Sequence, residues 1–195
     1  MSLGLDIGQR VDPTAICVAE EDRRQEDGRE VVHYVVRHLE RLPLGTPYPA
    51  VAARVAAIVA TVAKRTQAQP VLYVDATGVG LPVVDLMRDA RMAARITPCW
   101  FNHGDRRTCE RGEITIGKAF LVSRLQTLLQ TARVHLPRTA EAEVLAGELL
   151  TYEIKVSENG ADTYGAFKVG THDDLATALG LAVQGNPRPQ WRVLA

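Results

Sequence analysis

Near its start the chain carries Leu3-Gly4-Leu5-Asp6-Ile7-Gly8, an apolar run broken by one carboxylate. A lone acid inside a core strand is costly unless it is paired or holds a cation. Gly8 follows, so the strand can turn sharply with no Cβ in the way. Asp12-Pro13-Thr14-Ala15-Ile16-Cys17-Val18-Ala19 then reads as a second strand. The pattern is strand, turn, strand, with a carboxylate aimed out of the sheet. A solvated Asp at a strand end satisfies this stretch taken alone. Two later stretches repeat the arrangement and shift the balance toward a site.

At 195 residues the chain fits one domain with a sizeable core. The domain is expected to cover residues 1–185, with 186–195 as a loose tail containing Pro187 and Pro189. The formal net charge is zero, so a nucleic-acid contact must come from local clustering. The longest apolar stretches are interrupted by Arg, Lys or Pro, which excludes a membrane span, and no signal-peptide pattern is present. Three cysteines, Cys17, Cys99 and Cys109, argue against a disulfide framework and suit a reducing compartment. Cys99, His103 and Cys109 match no zinc-ligand spacing.

Val31–Val36 reads as a third strand, after a polar loop at Glu20–Glu30, so strands one to three form an antiparallel meander. Val51, Val55, Ile58 and Val62 share one face of a helix over about 49–65. Pro70–Asp75 is a buried strand ending in an acid, Leu81–Arg91 a helix, and Ile96–Phe101 another strand. Alternation of strand and helix implies a parallel extension of the sheet. His103–Glu113 reads as a mobile polar loop. Ile116–Gln130 is a helix with Leu121, Leu125 and Leu128 inward and Lys118, Arg124 and Gln126 largely outward. Val134–Pro137 is a short edge segment, and Thr139 caps a helix reaching about Leu150. Tyr152–Val156 and Tyr164–Val169 flank Asn159-Gly160, a strong hairpin signal. A last helix runs from Thr171 to about Gln184.

Asp6, Asp75 and the pair Asp173/Asp174 are the acidic points. Strand one is commonly central in a mixed sheet, the Asp75 strand can lie beside it in parallel, and the last helix can bring its start to both. Carboxylates converging without a basic partner repel one another. Divalent cations resolve that repulsion, and hard oxygen ligands select Mg²⁺ or Mn²⁺. Two such ions would activate water and stabilise the leaving oxygen in phosphodiester cleavage. Asp174 shares a helix face with Ala178, Leu181 and Ala182, so it is expected to point at the site. Asp173 is expected at the rim, where an N-cap role serves it equally well.

The order of elements and acids resembles an RNase H-like nuclease fold. More narrowly, Gly4-Leu5-Asp6-Ile7-Gly8, Val74-Asp75-Ala76-Thr77-Gly78-Val79-Gly80 and His172-Asp173-Asp174-Leu175-Ala176-Thr177-Ala178-Leu179 resemble the nuclease domain of the large terminase subunit of tailed bacteriophages. The resemblance implies an α/β fold: a central mixed sheet with strands 1–3 antiparallel and later strands parallel, helices on its faces, and an extra β-hairpin near the C-terminus. It implies a Mg²⁺- or Mn²⁺-dependent endonuclease that cuts double-stranded, concatemeric viral DNA during genome packaging, in the cytoplasm of a bacterial host. Asp6, Asp75 and Asp174, with Asp173 beside them, occupy the matching catalytic and metal-ligand positions. The implied partners are DNA, a packaging ATPase domain or subunit, and the portal and procapsid. Related nucleases often carry an acid or histidine where this chain has Thr177, so a fourth ligand stays open. No Gly-x-x-x-x-Gly-Lys-Ser/Thr loop occurs, so the chain is not the packaging motor. It reads as an excised domain or a separate nuclease.

Alternatives on the same residues are a Holliday-junction resolvase or transposase-like nuclease, a fragment of an actin-like ATPase with Asp6-Ile7-Gly8 at a phosphate hairpin, and a non-catalytic DNA-binding module. The densest basic stretch, Arg106, Arg107 and Arg111 with Lys118 and Arg124 after them, is the expected DNA contact, with Lys155 and Lys168 flanking the duplex from the hairpin. Such contacts go to phosphates and read no sequence.

Overall fold

The computed structural model describes residues 1–8, 12–78, 80–151, 153–156, 162–165 and 172–185. Eight strands form one sheet: β1 (Ser2–Asp6), β2 (Ala15–Glu26), β3 (Arg29–Arg41), β4 (Val71–Asp75), β5 (Arg95–Asn102), β6 (Arg107–Glu110), β7 (Glu113–Gly117) and β8 (Val134–His135). Their spatial order is β6-β7-β5-β4-β1-β2-β3-β8. β1, β2 and β3 pair antiparallel, whereas β4 lies parallel to β1 and β5 parallel to β4. The expected mixed sheet is therefore present, with β1 near its centre. A separate antiparallel hairpin, β9 (Glu153–Val156) and β10 (Asp162–Gly165), stands where the sequence announced one. Its Asn159-Gly160 turn lies outside the described residues.

Strand alternation divides the core in two. Leu3 and Leu5 of β1, and Leu72 and Val74 of β4, face helices α1 (Tyr48–Thr66) and α2 (Gly80–Asp89). Val51, Val55, Ile58 and Val62 of α1 are buried there, as the helical spacing predicted. The opposite face of the sheet carries Val71 and Tyr73 of β4 and Ala15, Cys17 and Ala19 of β2. It is covered by α3 (Lys118–Gln130), α4 (Ala140–Thr151) and α5 (Asp174–Ala182). Among the described residues no helix is long and apolar enough to cross a membrane.

Three stretches differ from the sequence reading. Glu20–Glu30 is the outer arm of a long β2–β3 hairpin, not a loop. Its Asp27-Gly28 turn has both residues at positive φ, 49° and 76°, as a type I′ turn requires. Near its tip the arm carries charge pairs such as Arg23–Glu30 at 2.6 Å instead of an apolar alternation. His103–Glu113 includes β6, which forms an edge hairpin with β7, and helix α3 starts at Lys118, after β7. An edge strand that is mostly exposed carries no core signature to read. Arg124 does not face outward: its guanidinium donates to Val183 O at 2.8 Å and to the Tyr34 hydroxyl at 2.9 Å.

Helix α5 lies directly on β1. A Cβ built at Gly4 would stand 2.0 Å from the Ala178 carbonyl oxygen and 2.6 Å from the Ala182 nitrogen. No side chain fits there, because both neighbours are backbone that cannot rotate away. Ser2 Oγ donates to Ala182 O at 2.6 Å and ties the far end of the helix to the same strand. Gly4→Ala is therefore expected to destabilise the protein by roughly 1–3 kcal/mol or more through overpacking. Urea unfolding measures this, and a midpoint equal to wild type would show that α5 does not sit as described.

Candidate functional site

Period-two alternation in β1 sets Asp6 on the same face as Gly4, the face that α5 covers. In β4, Tyr73 belongs to that same side of the core, so Asp75 follows it there. Leu5 pairs with Val74 in parallel register, which places Asp6 and Asp75 one residue further on, at the same end of neighbouring strands. The amide of Thr77 donates to Asp75 Oδ1 at 2.8 Å, and Thr77 Oγ1 accepts from the Phe101 amide at 3.0 Å. The loop after β4 thus holds one oxygen of Asp75 in place.

Asp174 opens α5 and is only 2 % exposed, whereas Asp173 is partly buried at the N-cap and makes no side-chain cap bond. The burial follows the order expected from the helix faces. One expectation fails: the acids do not gather without a basic partner. Arg41, the last residue of β3, donates from Nε to Asp174 Oδ2 at 2.6 Å, and its guanidinium also pairs with Glu148 of α4. Glu148 in turn accepts from the Ala176 amide at 2.9 Å. His172 Nδ1 stands 3.4 Å from Asp12 Oδ1 and 3.8 Å from Asp174 Oδ1.

Neither Arg41 nor Glu148 was singled out in the sequence. Glu148 had a legible signal: it is a lone acid in Leu145-Ala146-Gly147-Glu148-Leu149-Leu150, the same anomaly that marked Asp6. Arg41 had none, because an arginine beside a Pro-containing loop reads as surface.

Burial raises the Asp6 pKa well above the usual carboxylate range, and the charges of Asp75, Asp173, Asp174 and Asp12 raise it further. Burial also raises Asp75, against the Thr77 hydrogen bonds and the nearby Lys118 charge. It raises Asp174 against the hydrogen bond and charge of Arg41. Glu148 is pushed up to about 7, chiefly by burial, with the Ala176 amide and Arg41 opposing and Asp174 adding repulsion. Four acids therefore sit in a place that disfavours their charged forms.

A cation would reverse that disfavour. Asp174 Oδ1 is buried and makes no hydrogen bond, a state that needs a donor or an ion. Asp6, Asp75 and Asp174 offer oxygen alone, which suits a hard divalent ion. Among the described residues no group of three or more His, Cys, Asp or Glu side chains stands ready to enclose an ion. The donor set fits an ion that keeps several waters and is bound by one or two carboxylates, as Mg²⁺ commonly is.

The terminase RNase H-like domain family matches residues 3–185. The chain belongs to that family. Among solved structures, the large terminase nuclease from thermophilic phage G20c with bound magnesium superposes with a TM-score of 0.64 at 19% identity, covering 93% of this chain and 78% of that one. The Mn-soaked human cytomegalovirus terminase nuclease domain gives 0.56 at 12% identity, covering 93% and 80%. The HK97 bacteriophage large terminase gives 0.57 at 14% identity, covering 93% of this chain and 38% of that one. No curated protein matches the chain.

Three of the basic residues of this terminase-family domain, Arg106, Arg107 and Arg111, lie on or beside the β6–β7 hairpin. Arg106 is exposed, with Asp105 at 3.8 Å. Arg111 lies in the exposed turn between β6 and β7, at φ 51°. Arg107 is half-buried, and its Nε and one Nη nitrogen are buried without hydrogen bonds. Lys118 is the first residue of α3, directly after β7, whose Gly117 amide donates to Arg106 O at 2.8 Å, and its charge also acts on Asp75. Lys155 lies on β9. Lys168 falls outside the described residues.

The raised acids make stability pH-dependent. A carboxyl whose folded pKa exceeds its unfolded value adds stability below the unfolded pKa and loses it as pH rises through the folded one. For Glu148 the loss spans from the ordinary glutamate range to about pH 7, and Asp6 loses stability in the same direction. In chelator, the melting temperature is expected to fall between pH 5 and pH 8. Asp6→Asn should flatten that fall and melt at or above wild type at pH 8. A wild-type curve parallel to that of the Asn variant would refute this account of the site.

Proposed function

We propose that the chain is a divalent-metal-dependent endonuclease that cleaves double-stranded viral DNA during genome packaging. The observation that carries this reading is the placement of Asp6, Asp75 and Asp174 on one face of the sheet at the start of α5, with an Asp174 oxygen left unbonded. Family membership supports it. So do the neighbours, since the G20c nuclease binds magnesium and cobalt in crystals and the cytomegalovirus domain was soaked in manganese.

In this reading Asp6, Asp75 and Asp174 hold Mg²⁺ or Mn²⁺, two ions in the full site, and Asp173 assists from the rim. Bound there, such ions would supply charge neutralisation at the scissile phosphate and a lowered pKa for a water. The chain supplies the rest. The Thr77 amide fixes Asp75 Oδ1, and in this reading the second oxygen of Asp75 would meet the ion. The charge of Lys118 favours the ionised form of Asp75, and in this reading it would also meet an incoming phosphate. Arg106 and Arg111 reach DNA phosphates from the β6–β7 hairpin. Residues 1–185 act as one nuclease unit with 186–195 as its tail. The partners are a packaging ATPase domain or subunit and, through it, the portal and procapsid, in the bacterial cytoplasm. The share of the HK97 large terminase that this chain leaves uncovered gives room for such a motor.

Purified protein is expected to nick or linearise plasmid DNA with Mg²⁺ or Mn²⁺ and to be silent in EDTA. Asp6→Asn, Asp75→Asn and Asp174→Asn should each slow cleavage on the order of 10²–10³-fold, since each removes several kcal/mol of metal-mediated stabilisation. Asp173→Asn should retain partial activity. Cutting in EDTA, or near-normal cutting by any of the first three variants, would sink the assignment.

Replacing Arg106 and Arg111 with Ala should weaken binding equally on unrelated duplexes. Each lost phosphate contact should flatten the log–log salt dependence by roughly 0.9. An unchanged slope places the DNA elsewhere.

A further inference from the structure

We infer that Arg41, braced by Glu148, is a positioning residue that decides which oxygen of Asp174 is presented to the metal. The inference rests on the reading of Asp174 as a metal ligand. Arg41 is not near the site by accident of a long side chain. Asp6 pairs with Ala15, and Ala15 pairs with Arg41, so the three form one row across β1, β2 and β3. Directly opposed residues of antiparallel strands project to the same face. Asp6 and Arg41 therefore rise on the same side, with only a methyl group between them, and the start of α5 reaches into that gap.

The contacts close a loop. Arg41 holds Asp174 Oδ2 through Nε and Glu148 through its other arm. Glu148 uses its second oxygen to accept the Ala176 amide, two residues beyond Asp174. Asp173, the residue placed to cap the helix, makes no such bond. The first turn of α5 is thus held from outside the helix: its backbone by Glu148, its leading side chain by Arg41. With Oδ2 engaged, Oδ1 is the oxygen left buried without a hydrogen bond. Glu148 is not itself a ligand in this arrangement, because each of its oxygens already has a partner. An arginine serves where a lysine would not, since a planar fork can grip two carboxylates at once.

The full chain, metal-free, is titrated with Mn²⁺ alone by calorimetry and followed by the Mn²⁺ spin-resonance signal, with melting curves confirming the fold. Arg41→Ala is expected to weaken Mn²⁺ binding by about 10- to 100-fold, the usual effect of losing an outer-shell partner. In cleavage it should lower kcat to a similar degree and leave KM for DNA within about twofold. In an Asp174→Asn background, Arg41→Ala should change Mn²⁺ affinity by less than about twofold, because residues acting through one another are not additive. If Arg41→Ala melts below the assay temperature, Arg41→Met keeps the packing stem and carries the same expectations. A folded Ala or Met variant that binds Mn²⁺ as wild type does, beside an Asp174→Asn variant that does not, overturns the inference and leaves the nuclease reading standing. Tighter binding and faster cutting also overturns it, making Arg41 a competitor of the metal. Additive losses in the double variant reduce Arg41 to a general support of the fold, which overturns it as well. Wild-type binding and cutting by Asp174→Asn itself would instead refute the nuclease site as assigned.

Discussion

Helix α5 meets strand β1 backbone to backbone, and that contact sets where the start of α5 stands relative to the acids on the sheet. Gly4 gives the helix no side chain to ride over. The neighbouring strand offers Ala15, Cys17 and Ala19, and the helix answers with Ala178 and Ala182, all buried. Small residues on both surfaces let the axis settle low, and dispersion gains from close packing hold it there. The start of the helix then comes to the level of the strand ends that carry Asp6 and Asp75. A bulkier residue at position 4 would lift α5 and carry Asp174 away from the other acids.

That geometry forces unfavourable electrostatics into the core. Burial disfavours the ionised forms of Asp6, Asp75 and Asp174, and the neighbouring acids add repulsion at Asp6. Only part of the cost is offset within the protein. The Thr77 amide relieves Asp75, Arg41 relieves Asp174, and the pKa of Asp6 stays well above the carboxylate range. A fold optimised for stability alone would not keep three acids here. A positive ligand would relieve the cost that remains, and the raised acids account for why acid conditions should stabilise the protein.

The role given to Arg41 depends on a single extra residue. Between the Asp27-Gly28 turn and Ala19 the hairpin pairs regularly, Glu26 with Arg29 and Ala19 with Val36. At Val18 the register shifts, Val18 pairing with His38, so that Ala15 meets Arg41. Continued without the bulge, the outer register would set Glu40 opposite Ala15. An acid would then stand in the row beside Asp6, and Arg41 would turn to the α1 side. A one-residue slip reverses the face of every side chain beyond it. Here it exchanges a further repulsive charge for the guanidinium that grips Asp174.

The order of the sheet and the places of its acids can be read from residues close together in the chain. Local regularities write those: apolar runs of strand length, helical spacing of Val51, Val55, Ile58 and Val62, and single carboxylates where a core residue was due. Asp6, Asp75 and Asp174 were legible because each breaks a strong local pattern. The polar edge hairpin of β6 and β7 and the outer arm of β2 and β3 were not, since strands without a buried face carry no period to detect. The Arg41–Glu148–Asp174 loop was decided by tertiary structure alone. It joins a strand end and two helices far apart in the chain, and it exists only because a bulge sets the register of β3 and Gly4 sets the depth of α5. Neither constraint leaves a mark on the residues beside Arg41, so no reading of that segment alone could have found its partners.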